Sequence, residues 1–177
     1  MGRLRRGRYN RENFNLGCRN GICRNCRNIN IYILLIMIAF KIPGDPIPLK
    51  RHRSFIAKKL GRVIQYNPSS KDQTQFKIRC KKWRPKEPAT GPIEITLHFF
   101  VKRPKSHYRT GKYKSELKTT APLVATSKPD LDNYIKFVLD SLQGPRGFFK
   151  DDSQVYSIMA EKLYSHLPKT CIQIKAL

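Results

Sequence analysis

Acidic residues are scarce in this 177-residue chain: 12 Asp and Glu stand against 36 Lys and Arg, for a formal net charge of +24. Solubility alone does not ask for so large an imbalance, and the natural partners of such a body are polyanions: DNA, RNA or, less favoured, an anionic membrane. Long apolar runs are also missing. The longest, Ile31 to Phe40, falls short of the roughly 20 residues that a bilayer span needs, and no small-residue cleavage site of the secretory kind follows it. Five cysteines is an odd number, placed in no pattern that reads as a disulfide framework, so a reducing, cytoplasmic setting is the simpler expectation. His52, His98, His107 and His166 make no metal spacing. No nucleophile–histidine pair or glycine-rich phosphate loop stands out either. Charge by itself admits a structural RNA-binding protein as readily as an enzyme.

The few acids that are present are not spread as counter-charges. Five of the 12 lie between Asp130 and Asp152, in the run Lys128-Pro-Asp130-Leu-Asp132-Asn133-Tyr-Ile-Lys136, at Asp140, and in the doublet Asp151-Asp152. Packing carboxylates together costs mutual repulsion unless a cation sits between them, and a divalent metal is the usual answer. A basic body around an acidic pocket suggests an enzyme that grips phosphate backbones and cuts them with metal ions.

The first 36 residues have a composition of their own. All eight basic residues there are Arg, whereas the remainder carries 20 Lys and 8 Arg, and seven of the nine Asn lie in this segment. Cys18-x4-Cys23-x2-Cys26 has the spacing of plant-type iron–sulfur ligands, but no fourth ligand is near and Arg and Asn crowd the stretch. An Arg-rich organellar leader and a basic arm that tracks DNA are further readings. The favoured one is that translation begins at Met37, with residues 1–36 a mis-called start or a disordered extension, and function confined to residues 37–177.

The body reads as an α+β domain with a small mixed sheet and two main helices. Strand pattern is expected at 38–43, ended by the Pro43-Gly-Asp-Pro46-Ile-Pro48 stretch, and again at 92–101, 154–164 and 170–176. A helix is expected from Lys71 to about Trp83 behind the turn at Tyr66–Ser70, with Phe76, Ile78 and Cys80 as inward candidates. A second helix is expected over 129–144, with Leu131, Tyr134, Ile135, Val138, Leu139 and Leu142 on one stripe and Gly144 past its end. Lys102 to Ser127 is polar and aperiodic, a length of loop that is usually functional or disordered. Lys50, Arg51 and Arg53 form a compact cluster suited to phosphates, or else a solvated surface loop.

Asp130 and Asp132 straddle the start of the second helix, where an Asp is ordinarily a cap facing the positive end of the dipole. Capping does not explain Asp151-Asp152, beyond the far end of a helix about 20 Å long. For the two acidic groups to meet, the chain must travel back, as it would if a strand starting near Asp152 lay beside the helix start. Three carboxylates so assembled would make the all-oxygen site that Mg²⁺ prefers, able to support in-line phosphodiester displacement. Lys136 lies one turn after Asp132. It could meet charge on a scissile phosphate, or form an ordinary i,i+4 ion pair. Asn133 orients a carboxylate or a water, or is a plain surface residue. Asp140 falls too far along the helix to join the first two acids.

Asp-x-Asp alone is a weak signal, shared with glycosyltransferases and other phosphotransferases. With Asn133, Lys136, Asp140-Ser-Leu-Gln-Gly144 and Asp151-Asp-Ser-Gln154, the sequence resembles the RusA family of Holliday junction resolvases over roughly residues 38–176. Ile42-Pro-Gly-Asp-Pro-Ile-Pro48 and Arg103-Pro-Lys-Ser-His107 are supporting matches. The resemblance implies a RusA-like fold and a Mg²⁺-dependent endodeoxyribonuclease, with Mn²⁺ an alternative metal. It implies metal-binding Asp130, Asp132 and Asp152, catalytic Lys136 and a supporting Asp151. It implies a homodimer that nicks branched DNA twice, in a bacterial or prophage setting. Lys50, Arg51, Arg53, Arg103, Lys105, His107 and Lys128 are the expected DNA contacts. A non-catalytic basic nucleic-acid-binding module is the competing reading.

Overall fold

Ile93, Ile95, Leu97 and Phe99 alternate with Glu94, Thr96, His98 and Phe100, and this period of two makes the central strand of the molecule. The computed structural model describes residues 36–57 and 61–177. Apart from Ile36, the 1–36 segment and its Cys18, Cys23 and Cys26 lie outside the described residues. In chain order the elements are β1 (Ile36–Pro43), β2 (Arg53–Ala57), β3 (Arg62–Tyr66), α1 (Ser70–Cys80), β4 (Ile93–Lys102), α2 (Leu131–Leu142), β5 (Val155–Ser165) and β6 (Lys169–Ala176). This is α+β, as expected.

The main sheet has the order β1-β6-β4-β5, antiparallel except for the parallel β4–β5 pair. One face of it is buried: Phe40 and Ile42 from β1, the four alternating residues of β4, and Ile172, Ile174 and Ala176 from β6. Both helices contribute to the same core. Phe76 of α1 meets Phe137 of α2 edge-on with ring centroids 5.5 Å apart, and Tyr134 stacks on Phe99 at 5.2 Å. Fully burying rings of this size contributes roughly 2–3 kcal/mol each before entropy is counted. Burial pushes the Cys80 thiol up to about 12, so it packs as a small apolar group.

Three expectations are corrected. The first helix stops at Cys80 and tightens into a 3-10 turn over Lys81–Trp83. Ile78, expected inside, is 58% exposed, because residues two apart on a helix diverge by about 200° and cannot both face the core. Residues 53–57 and 62–66, for which no element was read from the sequence, pair as β2 and β3, with Gly61 at φ +59 just ahead of β3. Phe55, Ile56 and Val63 are exposed, so the pair lacks the one-sided burial that marks a strand in sequence.

Because β4 and β5 are parallel neighbours, the chain must cross from the end of one to the start of the other. That crossover is the 102–130 loop followed by α2. The loop is not featureless: short 3-10 turns occupy 105–107 and 111–113. A bridge between Val124 and Leu163 docks its end onto β5.

Candidate active site

The acidic run opens α2. Asp130 is its N-cap residue in extended conformation, yet its side chain makes no capping hydrogen bond. The helix start is held instead from β5, where Lys162 Nζ donates to the carbonyls of Ser127 (2.6 Å) and Pro129 (2.7 Å). Asp132 follows in the first turn, and Lys136 Nζ lies 3.4 Å from its Oδ2. Both side chains are largely exposed.

The doublet stands at the other end of the same helix. Gly144 takes φ +115 and its N–H bonds the carbonyls of Phe149 and Lys150. Gly147 lies so close to the helix end that a Cβ there would sit 2.2 Å from the Leu142 carbonyl oxygen. This Gly144-Pro-Arg-Gly147 turn brings the chain back under α2. The backbone N–H of Asp152 then donates to Gln143 Oε1 at 3.2 Å. The two acids of the doublet differ. Asp151 caps the 3-10 turn Asp152–Gln154 in a reciprocal box, accepting from the Ser153 N–H (2.9 Å) while Gln154 Oε1 accepts from the Asp151 N–H (2.9 Å). Hydrogen bonds from the Ser153 side chain and N–H hold the Asp151 carboxyl below the usual range. Capping therefore accounts for Asp151 and leaves Asp152 unexplained by it.

β5 does lie beside α2, but in the sense opposite to the one a meeting of the acids requires. It begins next to the helix C-terminus, and only at Lys162 reaches the helix start. Asp130 and Gln143 are about 20 Å apart along the helix axis at 1.5 Å per residue. Among the described residues no three His, Cys, Asp or Glu side chains stand close enough together to hold a metal ion. Asp130 and Asp132 thus share one end of α2, and Asp152 stands near the other.

What connects the ends is a polar stripe. Asp132, Lys136, Asp140 and Gln143 are spaced four, four and three residues apart, so they line one side of the helix. Asp140 is half-buried and accepts from Gln73 Nε2 of α1 at 3.3 Å. Burial pushes its carboxyl above the ordinary range. The nearby Asp152 pushes the same way, while the Gln73 bond, His52 and Lys77 pull it back. Sequence reasoning set Asp140 aside for its distance from Asp130 and Asp132; its neighbour is Asp152, and the i, i+4, i+8 spacing was the signal. Asp45, whose charge with burial raises the Tyr134 hydroxyl, is a further acid beside this helix.

Of the expected DNA contacts, Lys50, Arg51 and Arg53 are exposed on the segment entering β2, and Lys50 Nζ pairs with Asp72 at 3.0 Å. That segment is tied to the helices, with Leu49 N–H donating to the Asn133 carbonyl (2.9 Å) and Lys50 N–H to Ser69 Oγ (2.9 Å). Lys105 and Lys128 are exposed. Arg103 is not: only 8% accessible, it donates to the Pro122 carbonyl at 2.7 Å and to the Tyr164 carbonyl at 3.5 Å, pinning the loop to β5. His107 sits half-buried, edge-on to the Tyr164 ring.

Comparison with known proteins follows this geometry. The pattern of the family described as Endodeoxyribonuclease RusA matches residues 43–175, which include both helices, the doublet, β2 to β5, all of β6 but Ala176, and only Pro43 of β1. YqaN of Bacillus subtilis (strain 168), a protein described as uncharacterized, is 34% identical over 140 residues, covering 78% of this chain and 95% of that protein. A protein of Lactococcus phage r1t described as crossover junction endodeoxyribonuclease rusA is 27% identical over 139 residues, covering 76% of this chain and 95% of the phage protein.

Proposed function

The chain belongs to the RusA family of endodeoxyribonucleases, and on that premise we propose that it is a Mg²⁺-dependent enzyme resolving four-way (Holliday) DNA junctions by paired phosphodiester hydrolysis. The observation that carries this reading is the stripe on α2, where carboxylates not used for capping flank Lys136 on a chain of net charge +24. The donors suit a hard divalent cation, being all carboxylate oxygens at places water can share. Asp130 leaves its carboxylate outside the cap, and the push of Asp152 on Asp140 is a repulsion that a cation relieves. Asp130 and Asp132 would hold the metal, with Mg²⁺ preferred and Mn²⁺ an alternative, whereas Asp152, near the other end of α2, is not placed to share that ion within one copy of the chain.

When bound, the metal supplies an activated water and stabilisation of the leaving oxygen. The protein's own groups do the rest. Lys136, oriented by Asp132, meets the negative charge that grows on the scissile phosphate. Asp151 fixes the turn that carries Asp152. Lys50, Arg51, Arg53, Lys105 and Lys128 supply exposed charge for the backbone of branched DNA, and two copies of the chain would cut two strands symmetrically. The phage protein's name and the bacterial relative support a role in DNA recombination and repair in a bacterial or prophage setting.

The test is cleavage of an end-labelled synthetic four-way junction against excess linear duplex, comparing the chain with its Asp132→Asn variant, with and without Mg²⁺. Paired, symmetric nicks that require both metal and Asp132 are expected. Tight junction binding without cutting in Mg²⁺ or Mn²⁺ would overturn the catalytic reading and favour a DNA-binding module.

A further inference from the structure

Beyond the stripe, the C-terminal ends of α1 and α2 converge on a cavity of about 590 Å³ lined by Lys77, Lys81, Arg84 and Arg146, over a floor that includes Cys80 and Phe148. No acidic residue lines it, and none of the four cations forms an ion pair among the described residues. Helix C-termini attract positive charge, which accounts for a lysine or two in the last turn of α1. It does not account for four full charges facing one space, three of them (Lys81, Arg84 and Arg146) from beyond the two helices, on a chain already carrying +24.

The cluster is built rather than incidental. Lys77 comes from the last turn of α1, Lys81 from the 3-10 turn that follows and Arg84 from the extended residue after it, and all three line the same cavity. Arg84 Nη1 donates to the Arg146 carbonyl at 2.9 Å, joining the end of α1 to the turn after α2. That turn is held by Gly144 in the left-handed region and by Gly147, where no side chain fits. Arg146 is thereby presented from a fixed backbone. Gln143, the last member of the polar stripe on α2, lines the cavity, so the cavity and the stripe are contiguous. Its side chain also holds the N–H of Asp152.

We propose that this cavity is a second phosphate-binding subsite, which takes the backbone of the DNA strand as it leaves the Asp152 end of α2. The proposal rests on the nucleic-acid reading above, and deepens it by naming where the strand is gripped. Cations without acid partners, open to solvent and beside the cutting groups, are what a phosphodiester backbone requires; base edges are not read here, so the contact is indifferent to sequence.

The experiment measures junction and linear-duplex affinity of the full chain across salt, in the Asp132→Asn background without divalent metal, so that no cutting intervenes. Lys81→Ala/Arg146→Ala is compared with a control removing two charges from the end of β4 and the loop after it, Lys102→Ala/Lys118→Ala, and with the charge-keeping Lys81→Arg/Arg146→Lys. Loss of two phosphate contacts lowers the slope of log K against log salt by about two, so the parent's advantage grows about tenfold between 200 and 50 mM salt. That loss is expected equally on junction and duplex, absent in the charge-keeping variant, and distinctly smaller in the control. A slope unchanged, or reduced no more than in the control, overturns the subsite. Failure of the parent to bind any DNA overturns the subsite together with the nucleic-acid reading. The catalytic reading is decided separately by the cleavage test above, and whatever its result the slopes decide the subsite.

Discussion

The backbone N–H of Asp152 donates to Gln143 Oε1 at 3.2 Å, which fixes the second acid of the doublet against the end of α2, about two turns beyond Lys136. The side chain of Gln143 is therefore a positioning group for Asp152. Gln143→Ala is expected to lower the cleavage rate about tenfold and to raise the metal concentration needed for half-maximal rate, while junction affinity without metal stays unchanged. A metal titration of the single-turnover rate checks this, and an unchanged half-maximal concentration counts against it.

The doublet should divide by role. Asp152→Asn is expected to reduce cleavage by a factor of about a hundred or more with little change in melting temperature. Asp151→Asn is expected to lower the melting temperature and to reduce cleavage less. The pH dependence follows from the same carboxyl. Its folded pKa is depressed, so its contribution is present above the ordinary carboxylate pKa and is lost as pH falls through the depressed value. Melting curves from pH 5 down to pH 2 on the parent and Asp151→Asn should converge at the acid end.

Asp140 has the opposite sign. Its folded pKa is raised, so protonation favours the fold below the ordinary carboxylate pKa, and that contribution disappears as pH rises through the raised value. In metal-free buffer, Asp140→Asn is expected to melt higher than the parent at neutral pH, with the difference vanishing below about pH 4. Equal melting temperatures at neutral pH would sink this assignment.

Lys136→Ala should separate chemistry from stability. The ion pair with Asp132 is exposed on both sides, 62% and 59% accessible, and such pairs contribute only about 0.3–0.5 kcal/mol. A melting temperature within a degree or two of the parent is expected, with cleavage falling about a hundredfold or more. Comparable losses in both would make Lys136 structural.

Arg103→Ala should do the reverse. The guanidinium holds the Pro122 and Tyr164 carbonyls in the interior. Its loss is expected to destabilise the protein by about 2 kcal/mol, and Arg103→Lys should not restore it, because a single ammonium cannot reach two directions as the planar fork does. Denaturant unfolding measures this directly.

How far the sequence went can be judged element by element. β1, β4 and β6 were legible because alternation survives on strands with one buried face, as in Ile93 to Phe99, and β5 was also expected although none of its residues is fully buried. α2 was legible because its apolar stripe is strong, although Phe137, fully buried, lay beside the stripe and was not counted in it. The β2–β3 pair was invisible because neither of its faces is covered. The acidic residues stood out in the sequence for their rarity in a basic chain. Their arrangement did not, because whether β5 starts at the head or the foot of α2 depends on strand order. Arg103 shows the same limit: an arginine in a basic run looks like a DNA contact until the burial around it is known.

The parallel pairing of β4 with β5 has a consequence for how the two acidic ends of α2 are spaced. Asp130 enters α2 from a loop docked on the far end of β5, whereas Asp152 sits three residues ahead of the strand's first residue, in register with Ile93. The sheet thus works as a ruler between the two acidic ends. At its start β5 already takes up one extra residue, passing from the Ile93–Val155 pair to Glu94–Ser157 and skipping Tyr156, so an irregularity of this kind adjusts the pairing by one residue, about 3.3 Å, while the rest of the strand keeps its face. The spacing between the two acidic ends of α2 can change only in whole-residue steps and cannot drift, which makes it a property of strand pairing more than of the acids themselves.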